Sequence, residues 1–147
     1  GWLQVGRKFV GGYGKVLGVD IHPVEPLLNV QIIKGDVNDT SLAEKIRELM
    51  GRNVNLVLSD IAPNITGVWQ LDHIKQLSMT ENAATIAYKI LTRNGNAVFK
   101  AFEGNMLNEL RDRLKVKFNN VRFYKPRASR KASSEIYLVC LGYKGSE

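Results

Sequence analysis

Cysteine is nearly absent from this chain: Cys140 is the single thiol among 147 residues. A disulfide within the chain is therefore impossible. Disulfide-stapled extracellular scaffolds are excluded, and a reducing, cytoplasmic setting is expected. Cys140 itself lies in the apolar run Ile136 to Leu141 and is expected to be a small core residue. Histidine is almost as scarce, and His22 and His73 lie too far apart in sequence to suggest a zinc site, so no metal is expected. No apolar run approaches the roughly 20 residues of a membrane-spanning helix. The chain opens on Gly-Trp-Leu, with no charged stretch leading into an apolar one, so neither a secretory leader nor a membrane partner is expected. Repeats and low-complexity tracts are also missing.

Acidic residues are scarce in one place only. Between Arg111 and Lys131 nine basic residues face the single acid Asp112, whereas the remaining chain holds 12 basic and 13 acidic residues. The whole net charge of +7 thus originates in one segment. A solvated helix face accounts for part of such a run, but a local excess on an otherwise neutral chain points to a polyanionic partner.

Hydrophobic residues make up 44% of the chain, enough for a single domain with a sizeable core. Apolar runs alternate with helical patterns. Strands are expected over 16–21, 30–37, 54–59, 97–102, 121–124 and 135–143. Helices are expected over 41–50, 72–92 and 106–118. Ser41 and Glu44 have the spacing of a capping box, Gly51 is expected to stop that helix, and Gly95 to end the long one. The long helix has an apolar side marked by Leu77, Ala84, Ala87, Ile90 and Leu91, and the next has the stripe Leu107, Leu110, Leu114 and Phe118. This alternation implies an α/β fold with a mostly parallel sheet, and the absence of a helix between the last two strands implies an antiparallel last strand.

Charged residues recur where these strands end. Asp20, Asp36 and Asp60 each close an apolar run, Lys100 interrupts a fourth, and Glu135 opens the last. An acid at a strand end is often a turn former or a helix cap. Yet the carboxyl edge of a parallel sheet is also where ligands bind. A lysine inside VFKAF needs an acid nearby, because charged groups are rarely buried without a partner. With a parallel order, Asp60 and Lys100 become neighbours on adjacent strands. A dinucleotide site is not expected, because the one glycine cluster, VGGYGKV at 10–16, follows a helical pattern and precedes a strand.

GVDIHP, KGDVND, SDIAPN, VFKAF and SSEIYLV, in this order and approximate spacing, resemble the FtsJ-type RNA ribose 2′-O-methyltransferases, the family of the bacterial heat-shock ribosomal RNA enzyme and its archaeal counterparts. The similarity covers essentially the whole chain. It implies a Rossmann-like S-adenosylmethionine-dependent methyltransferase fold, one catalytic domain over residues 1–147, and ribosomal RNA or a ribosomal subunit as partner of a monomeric protein. It implies that Asp20 takes the cofactor ribose and that Asp36, with the backbone of Val37, meets the adenine. Asp60 then lies near the transferred methyl. Lys100, Asp60 and Glu135 match three members of the family's catalytic Lys-Asp-Lys-Glu set. Gly1 and Trp2 match the end of its glycine-rich cofactor loop. The first lysine, the first strand and most of that loop have no counterpart, so the sequence is expected to be an N-terminally truncated part of a longer polypeptide.

Two other readings remain open on the residues alone: a transfer RNA ribose methyltransferase, and a non-catalytic RNA-binding module with a relic cofactor pocket. Lys100 is read either as a base or as a cation that orients the hydroxyl. Phe123 and Tyr124 are each read as core residues or as platforms for a base. Arg111, Lys125, Arg127, Arg130 and Lys131 are the expected RNA contacts. Neutralising Arg127, Arg130 and Lys131 together is expected to weaken RNA binding and flatten its salt dependence, by about 0.7–0.9 in log–log slope for each phosphate no longer neutralised. Filter binding across a salt series measures this, and an unchanged slope would mark the segment as a solvated surface.

Overall fold

The computed structural model describes residues 2–11, 14–126 and 134–145. They fall into two compact units, Gly1–Arg52 and Asn53–Glu147, each described by itself. The sequence-based boundaries hold closely for most elements, and the departures have local causes.

In the first unit, helix α1 (Trp2–Val10) precedes strands β1 (Leu17–Asp20) and β2 (Gln31–Lys34), and helix α2 (Leu42–Met50) follows. The two strands pair in parallel, with Asp20 opposite Lys34. Gly18 has no side chain because α1 lies against the strand there: a Cβ would stand 2.6 Å from Leu3. The expected capping box does not form. Ser41 takes a helical backbone and donates its hydroxyl to Asp39 Oδ1 at 2.8 Å, while Glu44 pairs with Arg47. Asp39 is the stronger acceptor, so it draws the hydroxyl away from the helix end. Gly51 does stop α2, in the left-handed conformation (φ 78°) that suits glycine.

The second unit holds β3 (Val54–Ser59), α3 (Trp69–Ile90), β4 (Leu91–Phe102), α4 (Leu107–Lys117), β5 (Phe118–Tyr124) and β6 (Glu135–Tyr143). The sheet order is β3-β4-β6-β5. β3 and β4 are parallel, and β6 runs antiparallel to both β4 and β5. The sheet is therefore mostly parallel with one antiparallel strand, the last. Side chains alternate across it. Ala97, Phe99, Ala101, Ile136, Leu138, Cys140 and Val121 are buried on one face. α3 packs on β4 and α4 on β5; the apolar stripes read from the sequence are buried, joined in α3 by Ala83 and by the polar residues Asp72, His73, Gln76 and Thr80. Burying a side chain such as Phe99 or Leu138, both 0% exposed, contributes about 1.5–3 kcal/mol.

Gly95 does not end the long helix. α3 passes directly into β4 at Leu91, and Gly95 lies inside the strand, where a Cβ would stand 2.9 Å from the Thr92 carbonyl and 3.1 Å from that of Asn55. Its place in the chain reflects a close backbone approach at the irregular start of the β3–β4 pairing. No helix among the described residues is long and apolar enough to cross a membrane.

His73 belongs to the core of this unit. It is 3% exposed, stacks on Trp69 with ring centroids 5.7 Å apart, and has no hydrogen-bond partner at either nitrogen among the described residues. Burial lowers its pKa and keeps the ring neutral at pH 7. The ring occupies the place of a side chain at Gly104, whose Cβ would stand 2.3 Å from His73 Cε1. Gly104→Ala is therefore expected to destabilise the protein by about 1–3 kcal/mol, the usual cost of overpacking. Gly6→Ala, in α1 with nothing within 4 Å of its Cβ, is expected to add about 0.5–1 kcal/mol of helix stability. Urea unfolding of the two variants, with opposite signs, checks both.

Candidate functional site

The parallel pairing of β3 with β4 reaches Ser59 opposite Phe99, so Asp60, the first residue past β3, comes beside Lys100. Because β6 runs the other way, its first residue arrives at the same end of the sheet: Glu135 pairs with Phe102 and Tyr137 with Lys100. Three segments far apart in sequence thus place charged groups together. Lys100 Nζ lies 3.2 Å from Asp60 Oδ1 and 3.4 Å from Glu135 Oε1. The lysine side chain is only 10% exposed, whereas those of Asp60 and Glu135 are 48% and 38% exposed. The cation is enclosed and its partners open toward solvent.

Burial by itself works to lower the Lys100 pKa, and it is the largest single influence. The hydrogen bond and charge of Asp60, with the charge and hydrogen bond of Glu135, together outweigh it and hold the ammonium above the ordinary lysine value. Tyr137, opposite Lys100, was not singled out from the sequence. Burial, then the charge of Asp60, raises the pKa of its phenol, so the hydroxyl stays protonated at neutral pH.

β3 leaves the sheet at Asp60 while β4 continues to Phe102. The carbonyl of Lys100 and the N–H of Phe102 would be orphaned there, at a cost comparable to a missing hydrogen bond each. Gln76 of α3, 0% exposed, meets both. Its Nε2 donates to the Lys100 carbonyl at 2.8 Å, and its Oε1 accepts from the Phe102 N–H at 2.9 Å. A neighbouring parallel strand bonds the same two groups, so the carboxamide stands in for the peptide of the departed strand. Thr80, one helical turn on, donates its hydroxyl to the same carbonyl at 2.9 Å and accepts from Gln76 Nε2 at 2.9 Å. The sequence carried a signal for this pair: two polar residues at i, i+4 beside an apolar stripe must find partners when buried.

Asp72, 4% exposed, secures the loop that follows Asp60. Its carboxylate accepts from the N–H and hydroxyl of Thr66 and from the Gly67 N–H, and these bonds depress its pKa.

The expected RNA contacts separate. Lys125 lies mostly buried behind Glu135. It donates to the Glu135 carbonyl at 2.6 Å and pairs with Glu103 at 3.8 Å. Arg111 lays its guanidinium over the Phe123 ring, 5.1 Å from the centroid. Phe123 pairs with Leu138 and so belongs to the pleat opposite that of Lys100. Arg127, Arg130 and Lys131 lie outside the described residues, as does Gly1.

In the first unit, Asp20 and Asp36 are exposed at the carboxyl end of the strand pair, where the Gly35 N–H donates to the Asp20 carbonyl. One carboxylate oxygen of each is engaged locally: Asp20 Oδ1 accepts from the His22 N–H and Asp36 Oδ1 from the Asn38 N–H. Val37 and Trp2 are half-buried.

The family model for FtsJ-like methyltransferases matches residues 1–143. A ribosomal RNA large subunit methyltransferase E from Nitrosopumilus maritimus is 42% identical over 145 residues, covering 99% of this chain and 74% of that protein. A protein of the same name from Cenarchaeum symbiosum is 44% identical over 144 residues, covering 98% and 73%. Among solved structures, a ribosomal RNA methyltransferase from Plasmodium falciparum superposes with a TM-score of 0.87 at 27% identity, covering 99% of this chain and 81% of its own.

The ion cluster sets a testable pH dependence. A lysine pKa raised by folding contributes stability that is present below the ordinary lysine value and is lost as pH rises through the folded value. Converting Asp60→Asn and Glu135→Gln together leaves burial unopposed, so the Lys100 pKa is expected to fall below the ordinary value. Titration of the lysine side-chain carbons by NMR reads it directly. A pKa unmoved in the double variant would mean that the carboxylates do not hold the charge.

Proposed function

The chain belongs to the FtsJ-like methyltransferase family, and on that premise we propose that it transfers a methyl group from S-adenosylmethionine to a ribose 2′-hydroxyl of large-subunit ribosomal RNA. The observation that carries this reading is Lys100 held between Asp60 and Glu135 at the end of the sheet. The names of the curated relatives support ribosomal over transfer RNA as substrate, and a ribosomal substrate fits a cytoplasmic enzyme. We read both units as one catalytic domain.

The donor set of the first unit suits the cofactor. A ribose diol needs acceptors, and an exposed carboxylate at the end of a parallel strand supplies them. Asp20 is assigned to that ribose, Asp36 and the Val37 backbone to the adenine, and Asp60 to the methionine end. Trp2 is assigned to the same site, following the family match. When bound, S-adenosylmethionine supplies an electrophilic methyl on a sulfonium.

The remaining work falls to the chain's own side chains. With the methyl donor bound, the chain would have to align the 2′-hydroxyl and receive its proton as the oxygen is methylated. A lysine kept charged by two carboxylates is a poor base and a good hydrogen-bond donor. Lys100 is therefore assigned to orienting the 2′-oxygen by donating to it. Asp60 and Glu135, the two carboxylates beside that ammonium, are the groups assigned to accept the proton. The Gln76 and Thr80 bonds to the Lys100 carbonyl fix the backbone from which the ammonium extends.

The test is methyl transfer from tritiated cofactor to ribosomal RNA, with the product located by its resistance to alkaline hydrolysis. Lys100→Ala is expected to lower the rate by about 10²–10⁴-fold while leaving RNA affinity nearly unchanged, because the ammonium acts mainly in the transition state. A full rate from Lys100→Ala, or methyl groups on bases rather than ribose, would overturn the assignment.

A further inference from the structure

The pleat that carries Lys100 continues outward across β6 and β5. Lys100 pairs with Tyr137, and Tyr137 pairs in turn with Tyr124. Asp60, Lys100, Tyr137 and Tyr124 thus form one row across the sheet. Tyr124 is the outermost and is 57% exposed. Its neighbour Phe123 turns to the opposite face, where Arg111 covers it. The pleat therefore resolves two adjacent aromatics into one packed ring and one open ring. Two residues back on the same pleat stands exposed Arg122, its Nε bonded to Asn120 Oδ1 at 2.9 Å. That bond aligns the guanidinium along the strand. On the other side of Tyr124, the Lys125 bond to the Glu135 carbonyl fastens the end of β5 to the strand that carries the carboxylate.

We propose that this strip is a docking site for unpaired RNA, in which a base flanking the target nucleotide stacks on Tyr124 and its phosphate is held by Arg122. The proposal rests on the reading of the protein as an RNA methyltransferase and adds which residues receive the strand and in what conformation. Strands lie about 4.8 Å apart, so Tyr124 is roughly 10 Å from Lys100 across two strands, the scale of a neighbouring nucleotide. Every base has a π face, so an exposed ring beside a cation suits single-stranded RNA of many sequences. A base paired within a helix does not present that face, so duplex is the wrong shape for the strip. The excess of basic residues in the surrounding segment supplies the matching charge.

Anisotropy of a fluorescent single-stranded ribosomal RNA fragment, titrated with the full chain, tests this. Tyr124→Ala is expected to weaken binding by about 5- to 100-fold, and Tyr124→Phe to restore it, because the ring and not the hydroxyl does the stacking. Arg122→Gln is expected to reduce the log–log salt slope by about one. The same fragment annealed to its complement is expected to bind more weakly and to be indifferent to Tyr124→Ala. Tight binding by Tyr124→Ala equal to that of the unaltered protein would overturn the strip while leaving the RNA reading intact. Failure of the unaltered protein to bind RNA at all would overturn both.

Discussion

A lysine whose side chain is only one-tenth exposed is the constraint on which the second unit depends. An isolated charge in that position loses most of its hydration and costs several kcal/mol unless partners replace the water. Lys100 has two, and their arrival explains where three strands stop and start. β3 ends one residue before Asp60, β4 runs on past Lys100, and β6 begins at Glu135. The antiparallel sense of β6 follows the same logic. A parallel final strand would bring its carboxyl end to this edge and leave Glu135 at the far one.

The unequal lengths of β3 and β4 create a second problem that the helix above them solves. Where β3 departs, two backbone groups of β4 need partners in a dry environment. A leucine at position 76 would pack as well and leave both orphaned. A glutamine carboxamide has one acceptor and two donors in a plane, the same presentation as a peptide group. Thr80 completes the set, so the network closes with no buried member left over. Such closure gives a polar core its rigidity, since a partly satisfied network costs more than an apolar one. α3 therefore both packs its apolar stripe on β4 and holds the Lys100 backbone in place.

The basic segment illustrates how pleating sorts charge. In sequence it is one basic cluster with a single acid, Asp112, inside it. In the fold, Arg111 lies over Phe123 on the helix-covered side, Arg122 stands on the Lys100 side, and Lys125 turns inward to Glu135. One-dimensional charge density locates a polyanion-binding region but does not distinguish a contact from a brace. Lys125 is the clearest case: its charge contributes to the field of the segment while its ammonium is committed to the backbone of the proposed catalytic strand.

Much of this protein was legible in its sequence because the signals are local. Alternating apolar runs reveal the strands, stripes of leucine and alanine reveal the helices, and a lysine within an apolar run announces that acids must lie near it. Asp60, Lys100 and Glu135 were found this way, aided by their motifs. Ser41 and Gly95 were misread because their roles are set by neighbours outside the local pattern: Asp39 captures the serine hydroxyl, and the Asn55 carbonyl crowds the glycine. Gln76, Thr80 and Tyr137 were missed for the same reason. Helix periodicity shows that a residue faces inward but not which backbone group it meets. Sequence alone determined the order of elements, the core and the charged residues at the strand ends. Only the tertiary structure decided which edge those residues share, which of two adjacent aromatics is open, and which lysine is a brace. Those properties depend on register between strands distant in sequence, and a shift of one residue would reverse every side chain.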